Sequence, residues 1–416
     1  MENIIDDLKY RGLIKDFSDE DKVRELLSKP TTIYCGFDPS ASSVHLGNFV
    51  MISILMRLQR AGHRVIALVG GGTGMIGDPS GKSKERKFLT AEDVKANTEA
   101  IKNQLSRFID FSDESKGLIV NNYDWLSKLS LIDYLRNVSK YFQVGYMLSK
   151  DIVASRLETG ISLTEFTYMT LQSYDFYKLY KEYDCKIQIG GGDQWGNLTA
   201  GLDYIRKREE NSTAQCMTAN LITKSDGTKF GKSEGGAIYL DEKLTSPYKM
   251  YQFLYNQSDE DAIKYIKIFT FLEKEEIAEI EREHLANLGK RIGQKRLAYE
   301  VTKIIHGEEK ANEAVKMSEA LFSNKFDELT TNQIEELFGN MKVKADKSLL
   351  LEELLIQIKA ASSKREAREF IKNGAVSVNG SKLFDATKVF TEDDLLDSKY
   401  LIIKRGKKNY YLVELN

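Results

Sequence analysis

The sequence predicts an α/β fold: a doubly wound, Rossmann-like parallel sheet, followed by an all-α domain and a small α+β domain. From residue 31 to residue 239, apolar runs alternate with amphipathic stretches, which is typical of βαβ units. From residue 259 to residue 322 there is no proline, and opposite charges recur at helical spacing. After residue 348, helical periodicity gives way to strands around an Asn379-Gly380 turn.

The predicted strands of the first region end in polar or glycine-rich segments. Apolar runs predict strands over residues 31–37, 64–70, 117–121 and 185–190. Apolar residues at helical spacing predict helices over residues 48–59, 130–158 and 164–182. Doubly wound sheets bind ligands beyond the carboxyl ends of their strands. We therefore expect the functional site at that edge of the sheet.

Length and composition indicate the domain organisation. At 416 residues the chain is too long for one compact domain. We predict a catalytic domain over 1–245, a helical domain over 246–325, a linker over 326–347 and a final domain over 348–416. No apolar run is long enough to span a membrane, and the first residues resemble no targeting segment. A cytoplasmic protein without membrane association is expected.

The cysteines and the charges narrow the class of protein further. Cys35, Cys185 and Cys216 lie far apart without CxxC spacing, which argues against a disulfide framework and a structural zinc, so no metal site is predicted. The net charge of −2 is nearly balanced. From Lys364 onward, however, 11 Lys or Arg stand against 8 Asp or Glu. This surplus favours a polyanionic partner, although a solvated surface would have the same composition.

The segment after the first predicted strand has the features of a phosphate site. Val44-His45-Leu46-Gly47-Asn48 leads into a predicted helix start, where backbone N–H groups and the helix dipole attract phosphates. Gly47 leaves room for an adenine ring against the backbone, and His45 can donate to a phosphoryl oxygen. Taken alone, the pattern fits a surface helix with an incidental histidine equally well.

A second segment, Lys229-Phe230-Gly231-Lys232-Ser233, carries two lysines three residues apart in a glycine-containing loop. Such a loop can close over a ligand, and its two ammonium groups can neutralise a leaving pyrophosphate. It is not the GxxxxGK[ST] phosphate cradle, because Asp226 stands where that pattern has its first glycine. Taken alone, it would be a solvated lysine loop. Together, the two segments indicate chemistry that attaches AMP to a carboxylate.

Both segments match the two signature motifs of class I aminoacyl-tRNA synthetases. The resemblance extends over essentially the whole chain and is closest to the bacterial tyrosine-specific members. It is carried by four further blocks, residues 34–39, 70–80, 168–175 and 191–197. The resemblance implies tyrosine–tRNA ligase activity: L-tyrosine reacts with ATP, present with Mg²⁺, and passes from tyrosyl-adenylate to tRNA(Tyr). It implies no tightly bound cofactor, and it implies a homodimer formed through an insertion at about residues 130–163.

The tyrosine site can be approached from residue chemistry and then completed by resemblance. Tyr168, Gln172 and Asp175 are spaced to share one helical face. A carboxylate at the base of an aromatic slot, opposite Tyr34, would hydrogen-bond a phenol, whereas Asp175 alone could equally cap or pair on the surface. By resemblance, the residues that bind tyrosine are Tyr34, Gly36, Asp38, Asp78, Tyr168, Gln172, Asp175 and Gln194.

The resemblance also assigns the ATP site and the catalytic groups. The ATP-binding residues would be Ser40, His45, Gly47, Asn48, Lys82, Arg86, Gly191, Asp193, Lys229, Phe230, Gly231 and Lys232. The catalytic groups would be Ser40, His45, Asn48, Lys229, Lys232 and Ser233. This chain departs from the common pattern at three positions: Asn48 replaces a second histidine, Ser40 replaces a frequent threonine, and Met51 lies near the expected ribose.

The last region and one earlier triplet are candidates for RNA contact. Arg365, Arg368 and Lys372 are spaced to share a helical face, and the hairpins that follow make the region similar to the S4 RNA-binding module. Arg206 and Lys207 end another predicted helix and could meet the tRNA acceptor end. Two other interpretations are a tryptophan-specific relative and a catalytically silent RNA-binding paralogue. The pair of Tyr34 and Asp175 argues against the tryptophan-specific relative. The retained site charges argue against the catalytically silent paralogue.

Overall fold

The computed structural model describes residues 3–81, 89–157, 160–228, 230–233 and 236–416, with the backbone alone at 232–233. The chain forms two compact units, Met1–Val301 and Thr302–Asn416. The strands of the first unit are β1 (Ile14–Phe17), β2 (Thr32–Phe37), β3 (Arg64–Val69), β4 (Gly117–Asn121), β5 (Cys185–Gly191), β6 (Gln215–Ala219), β7 (Lys232–Ser233) and β8 (Gly236–Ala237).

The first unit contains the predicted doubly wound sheet. In the described part of the chain, its strand order is β1-β6-β5-β2-β3-β4, with β6 through β4 parallel and β1 antiparallel to β6. In β3, every residue after Arg64 is apolar and buried, as expected for a strand covered on both faces of the sheet. The α/β class predicted from the sequence is confirmed.

Helices connect these strands and continue beyond them. The helices that the structure describes before residue 307 are α1 (Ile4–Tyr10), α2 (Glu20–Leu26), α3 (Phe49–Arg60), α4 (Ala91–Leu105), α5 (Tyr123–Leu126), α6 (Leu131–Asn137), α7 (Val144–Leu148), α8 (Asp151–Ala154), α9 (Leu163–Tyr183), α10 (Trp195–Arg208), α11 (Pro247–Tyr255), α12 (Asp259–Phe269), α13 (Lys274–Ala286) and α14 (Ile292–His306). Side chains cap many of them; Ser162, for example, accepts from the backbone of Glu165 at the start of α9.

The single helix predicted over residues 130–158 is wrong. The structure has α6, α7, α8 and a short 3-10 turn there, and the backbone is extended at Phe142, Gln143 and Lys150. Side chains in this segment bond to the neighbouring helices: the Tyr134 hydroxyl lies 2.7 Å from Thr170 Oγ1, and Tyr146 donates to Asp203. Tertiary contacts therefore override the local helical propensity.

The second unit contains the predicted α+β domain. Its strands are β9 (Lys342–Ala345), β10 (Val376–Val378), β11 (Ser381–Lys382), β12 (Tyr400–Arg405) and β13 (Asn409–Leu415). Its remaining helices are α15 (Glu308–Ser323), α16 (Thr331–Phe338), α17 (Leu351–Gln357) and α18 (Lys364–Lys372). The strand order is β11-β10-β12-β13-β9, and the hairpin turn at Asn379-Gly380 has positive φ at both residues.

The segment 326–347, expected to be a linker, has regular structure instead. Thr330 and Gln333 form a capping box at the start of α16, and β9 pairs in parallel with β13. Phe326 and Phe338 are buried and contact each other edge to face. The polar residues that suggested a linker lie on the outer face of an amphipathic helix. The other domain boundaries stay predictions.

Candidate active site

A cavity of about 510 Å³ opens at the carboxyl ends of β2, β3 and β5. It brings together residues from distant parts of the chain, as expected for a doubly wound sheet. The predicted tyrosine-binding residues that line it are Tyr34, Gly36, Asp38, Asp78, Tyr168, Gln172, Asp175 and Gln194. The predicted ATP-binding residues that line it are Ser40, His45, Gly47, Asn48, Gly191 and Asp193.

The Asp175 carboxylate lies at the buried end of this cavity, with 2% of the residue exposed. Its oxygens accept from Asn122 Nδ2 at 2.9 Å and from Trp125 Nε1 at 2.7 Å. Asn122 and Trp125 were missed in the sequence analysis. Both follow the carboxyl end of β4, and that position was the available signal.

Burial raises the pKa of Asp175 to about 7. The hydrogen bonds from Asn122 and Trp125 oppose this effect, and the negative charge of Asp38 adds to it. The carboxyl group therefore changes charge near neutral pH, at the position where the sequence predicts contact with a phenol.

Within the described residues, two polar atoms of the same cavity are buried without a hydrogen-bond partner: the Tyr34 hydroxyl and Gln172 Oε1. Burial and the Asp175 charge also raise the pKa of Tyr34 well above its ordinary value, so the hydroxyl stays protonated. An unpaired buried polar atom costs about 1–3 kcal/mol. A ligand with matching polar groups would satisfy both atoms.

Two carboxylates lie nearer the middle of the cavity. Asp38 accepts from the Tyr168 hydroxyl at 2.7 Å and from Thr73 Oγ1 at 2.8 Å. Asp78 accepts from Gln194 Nε2 at 2.7 Å and from the backbone of Ser80 at 2.9 Å. Fixed carboxylates with a phenol and an amide beside them form a suitable site for an ammonium group.

The two halves of the nucleotide motif touch through their glycines. A Cβ atom on Gly231 would lie 2.7 Å from the backbone nitrogen of Gly47. Backbone hydrogen bonds also connect both segments to Ile238, since Leu46 N donates to Ile238 O at 2.7 Å and Ile238 N donates to Gly231 O at 3.0 Å. Asn48, at the N-cap of α3, makes no side-chain cap bond within the described residues, and it lines the cavity.

Gly191 is the last residue of β5, Asp193 lies in the turn that follows, and both line the cavity. A Cβ atom on Gly191 would lie 2.8 Å from Asp193 Oδ1, so glycine permits the carboxylate to sit close to the backbone. Phe230 is buried away from solvent. The predicted residues Lys82, Arg86 and Lys229 lie outside the described residues, as do the side chains of Lys232 and Ser233.

The predicted RNA-contact residues lie in two places. Within the second unit, Arg365 and Lys372 are exposed on α18, whereas Arg368 donates to Glu352 Oε1 at 2.8 Å. Within the first unit, Arg206 is exposed at the end of α10, and Lys207 donates to the backbone of Tyr141 at 2.8 Å. Among the described residues, no helix is long and apolar enough to cross a membrane.

Comparison with known proteins agrees with this geometry. Residues 27–323 match the family "tRNA synthetases class I (W and Y)", and residues 333–413 match "Tyrosine--tRNA ligase SYY-like C-terminal domain". The chain is 51% identical over 414 residues to tyrosine--tRNA ligase 1 of Bacillus anthracis, covering 99% of each sequence. It is 52% identical over 418 residues to tyrosine--tRNA ligase 1 of Bacillus licheniformis, again covering 99% of each.

A solved structure shares the fold over most of this chain. The C-terminally truncated mitochondrial tyrosyl-tRNA synthetase of Aspergillus nidulans superposes with a TM-score of 0.70 at 30% identity, covering 77% of this chain and 95% of that one. The sequence relatives extend over nearly the full length and carry one enzyme name. The chain therefore belongs to the tyrosine–tRNA ligase family of class I tRNA synthetases.

Proposed function

We propose that this cavity activates L-tyrosine with ATP and then passes the tyrosyl group to the 3′ end of tRNA(Tyr). The tyrosine carboxylate attacks the α-phosphorus of ATP, the bond to the bridging oxygen breaks, and pyrophosphate leaves. The carbonyl carbon of the bound adenylate is then attacked by a hydroxyl of the terminal ribose, and AMP leaves. The observation that carries the proposal is the buried pair of Asp175 and Tyr34 at the closed end of the cavity.

The polar groups at the closed end fit a phenol better than an indole. A phenol hydroxyl both donates and accepts, so it can donate to Asp175 and accept from the Tyr34 hydroxyl. The indole N–H of tryptophan only donates, which would leave Tyr34 without an acceptor. Phenylalanine would leave the Tyr34 hydroxyl unpaired and would give Asp175 no bond beyond those from Asn122 and Trp125. This argues for tyrosine over the tryptophan-specific alternative.

The ammonium group of tyrosine would lie between Asp78, Tyr168 and Gln172, with Asp38 and Gln194 orienting these groups. The hydrogen bonds already present support this role, because Gln194 holds Asp78 and Tyr168 holds Asp38. In this arrangement the tyrosine carboxylate is directed toward the residues proposed to bind ATP. Gly36 lines the cavity without a side chain. Catalysis then consists of positioning and charge stabilisation, without a covalent protein intermediate.

His45 and Asn48, at the start of α3, would donate to phosphate oxygens, with Ser40 assisting. We propose that the leaving pyrophosphate is stabilised by Lys229, Lys232 and Ser233. The ATP phosphates would be bound by Lys82 and Arg86. The part of the site that binds adenine would be shaped by Gly47, Phe230 and Gly231. The ribose would be bound by Gly191 and Asp193. Mg²⁺ would enter as the ATP complex, because it prefers phosphate oxygens and water as ligands.

Tyrosine-dependent ATP–pyrophosphate exchange tests the proposal. Exchange should occur with tyrosine and be at background with phenylalanine and tryptophan at equal concentration. Exchange driven by tryptophan would favour the tryptophan-specific alternative. Absence of exchange with all three would favour a catalytically silent RNA-binding protein, in which the cavity residues have only a structural role.

The second unit is proposed to bind tRNA through Arg365 and Lys372, with Arg368 shaping the same surface, and the first unit through Arg206 and Lys207. The exposed positions of Arg365, Lys372 and Arg206 support this assignment. Cationic side chains on a helix bind the backbone of structured RNA. We expect the protein to work in the cytoplasm, where its tRNA substrate is found.

A homodimer is proposed through the segment 130–163. Large apolar side chains are exposed along it, which is unusual for a monomer surface. The residues are Leu131, Ile132, Leu135, Val144, Leu148, Leu157 and Leu163. Light scattering should give about twice the chain mass of 47.4 kDa. The substitution Leu163→Asp, at a residue 77% exposed, should shift the mass toward one chain; an unchanged dimer would contradict this interface.

A further inference from the structure

Residues 222–228, directly before the second nucleotide motif, form a turn. Phe230 N donates to Ile222 O at 3.1 Å, and Lys224 N donates to Thr228 O at 2.8 Å. Phe230 is followed by Gly231, where a Cβ atom would lie 2.7 Å from Gly47 N, so the position of this turn affects how the motif meets Gly47. The turn bonds to α12, and Lys224 Nζ lies 5.9 Å from the ring centroid of Phe253 on α11.

Three side chains on one face of α12 hold the turn. The Asp261 carboxylate accepts from Ser225 N at 3.0 Å and from Ser225 Oγ at 3.1 Å. The carbonyl of Thr223 accepts from Lys264 Nζ at 2.6 Å and from the Tyr265 hydroxyl at 3.1 Å. Asp261, Lys264 and Tyr265 are spaced to lie on one side of a helix. Asp261 therefore holds Ser225, whereas Lys264 and Tyr265 both hold the carbonyl of Thr223.

The same helix face buries the aromatic residue of the motif. Phe230 is 4% exposed, and its ring centroid lies 4.3 Å from that of Tyr265 and 5.0 Å from that of Phe269. Phe253, on α11, contacts the Phe230 ring from another side at 5.4 Å. Tyr265 therefore contacts both ends of the segment: its hydroxyl bonds to Thr223 and its ring packs on Phe230.

We propose that Asp261, Lys264 and Tyr265 are positioning residues for adenylate formation, because they fix the segment from which Gly231 and the motif lysines reach the ATP site. The inference rests on the proposed function. Small displacements of charged groups weaken transition-state stabilisation far more than they weaken binding of the ground state. Asp261 is suited to this role, since it is 3% exposed and its charge lies in the first turn of α12.

Two aspartates on α12 offer a matched comparison. Asp261 bonds to the turn, whereas Asp259 accepts from Gln294 Nε2 at 2.7 Å and does not bond to residues 222–228 or 230 in the described structure. In Asp261→Asn, one acceptor oxygen becomes a donor that faces the two donors of Ser225. Both substitutions remove one carboxylate from the same helix turn. Only the first should disturb the nucleotide motif.

The experiment measures tyrosine-dependent ATP–pyrophosphate exchange and thermal unfolding for the full chain and both variants. Asp261→Asn should lower kcat by about tenfold, the equivalent of one hydrogen bond to a charged group, and leave KM for tyrosine within about twofold. Asp259→Asn should keep the wild-type kcat and lower Tm less than Asp261→Asn does, because the Asp259 side chain is 45% exposed. A purely structural role of Asp261 would not produce this split between kcat and the KM for tyrosine.

Milder variants test the same inference if Asp261→Asn does not fold. Tyr265→Phe keeps the ring against Phe230 and removes only the hydroxyl bond to Thr223, so kcat should fall about threefold. Ser225→Ala should reduce kcat as well, and its effect should not add to that of Asp261→Asn. Wild-type kcat in Asp261→Asn and Tyr265→Phe, or an equal loss in Asp259→Asn, would contradict the positioning role alone. A wild-type protein without tyrosine-dependent exchange would contradict the proposed function itself.

Discussion

Gly231 lies against Gly47, so the two halves of the nucleotide motif, far apart in sequence, meet through backbone atoms. A side chain on Gly231 would place its Cβ 2.7 Å from Gly47 N, and Gly231 also has a φ of +88°. Both facts require glycine at this position. The contact connects the start of α3 to the segment that α12 holds, and it forms one wall of the proposed ATP site.

The substitution Gly231→Ala should therefore reduce adenylate formation specifically. The new Cβ would push the motif away from Gly47, and we expect kcat/KM for ATP to fall by about tenfold or more while tyrosine affinity is retained. Gly62→Ala is a matched control, because Gly62 has a φ of +89° but open space around it. It should lose about 1 kcal/mol of stability without a change in exchange kinetics. Equal kinetic effects in the two variants would contradict this explanation.

The Tyr34 hydroxyl should strengthen tyrosine binding and lower the free energy of unfolding of the ligand-free protein. Tyr34→Phe removes a buried group that has no partner among the described residues, so the free energy of unfolding should rise by up to about 1 kcal/mol. Tyrosine affinity should fall by about threefold to tenfold, since one neutral hydrogen bond is lost. Denaturant unfolding and fluorescence titration measure the two effects. A lower stability together with unchanged tyrosine affinity would indicate a structural role.

Asp175 should make stability depend on pH between about 4 and 7. The unfolded chain loses this proton near the ordinary pKa of 3.8, whereas the folded chain keeps it until about 7. The folded state therefore binds more protons in this interval, so the contribution of Asp175 is fully present below about pH 4 and is lost as pH rises to 7. Asp175→Asn cannot titrate at this position. Its stability relative to wild type should rise from pH 4 to pH 7 and then stay constant.

The same ionisation should appear in tyrosine binding. The charged carboxylate accepts the phenol hydrogen bond more strongly than the neutral acid does, so tyrosine affinity should rise as pH increases through about 7. Equilibrium titrations from about pH 5.5 to about pH 8.5 bracket this transition and measure the change. Asn at position 175 should bind tyrosine weakly and without this pH dependence. The same pH dependence in the variant would assign the titration to another group.

Substitutions of Arg365 and Arg368 should have different effects on Tm and tRNA affinity, although both residues lie on α18. Arg368 pairs with Glu352, whose side chain is 3% exposed, so Arg368→Ala leaves a buried carboxylate without its cation and should lower Tm. Arg365 is exposed, so Arg365→Ala should keep Tm and reduce tRNA affinity with a shallower salt dependence. Filter binding at several salt concentrations separates the two effects. Unchanged tRNA affinity in Arg365→Ala would remove it from the proposed RNA surface.

The sequence was sufficient for strands β2 to β5 and for most of the cavity, because buried parallel strands have an apolar pattern and their carboxyl ends converge. Strands β1 and β6, which complete the sheet, were not predicted. Tyr168, Gln172 and Asp175 line the cavity together, as their helical spacing predicted. Asn122 and Trp125 were missed because their role depends on the position of α9 across the sheet. The local sequence around Trp125 does not indicate that it lies close to Asp175.

The remaining errors also come from contacts between distant segments. The polar stretch 326–347 gave the impression of a linker, although Ile334 and Phe338 are spaced as one buried helical face and Thr330 with Gln333 forms a capping box. Residues 130–158 were predicted as one helix because their apolar residues fit helical spacing. Several of those side chains are exposed instead, and bonds such as Tyr134 to Thr170 fix the chain direction.

The most direct test is to isolate the product of the first reaction on the protein. The chain is incubated with MgATP, pyrophosphatase and one labelled amino acid, and the bound aminoacyl-adenylate is then separated and counted. We predict that labelled tyrosine is retained as the adenylate, that phenylalanine and tryptophan are not, and that Asp175→Asn loses this retention. Retention of tryptophanyl-adenylate, or no retained adenylate with tyrosine, would contradict tyrosine activation in this cavity.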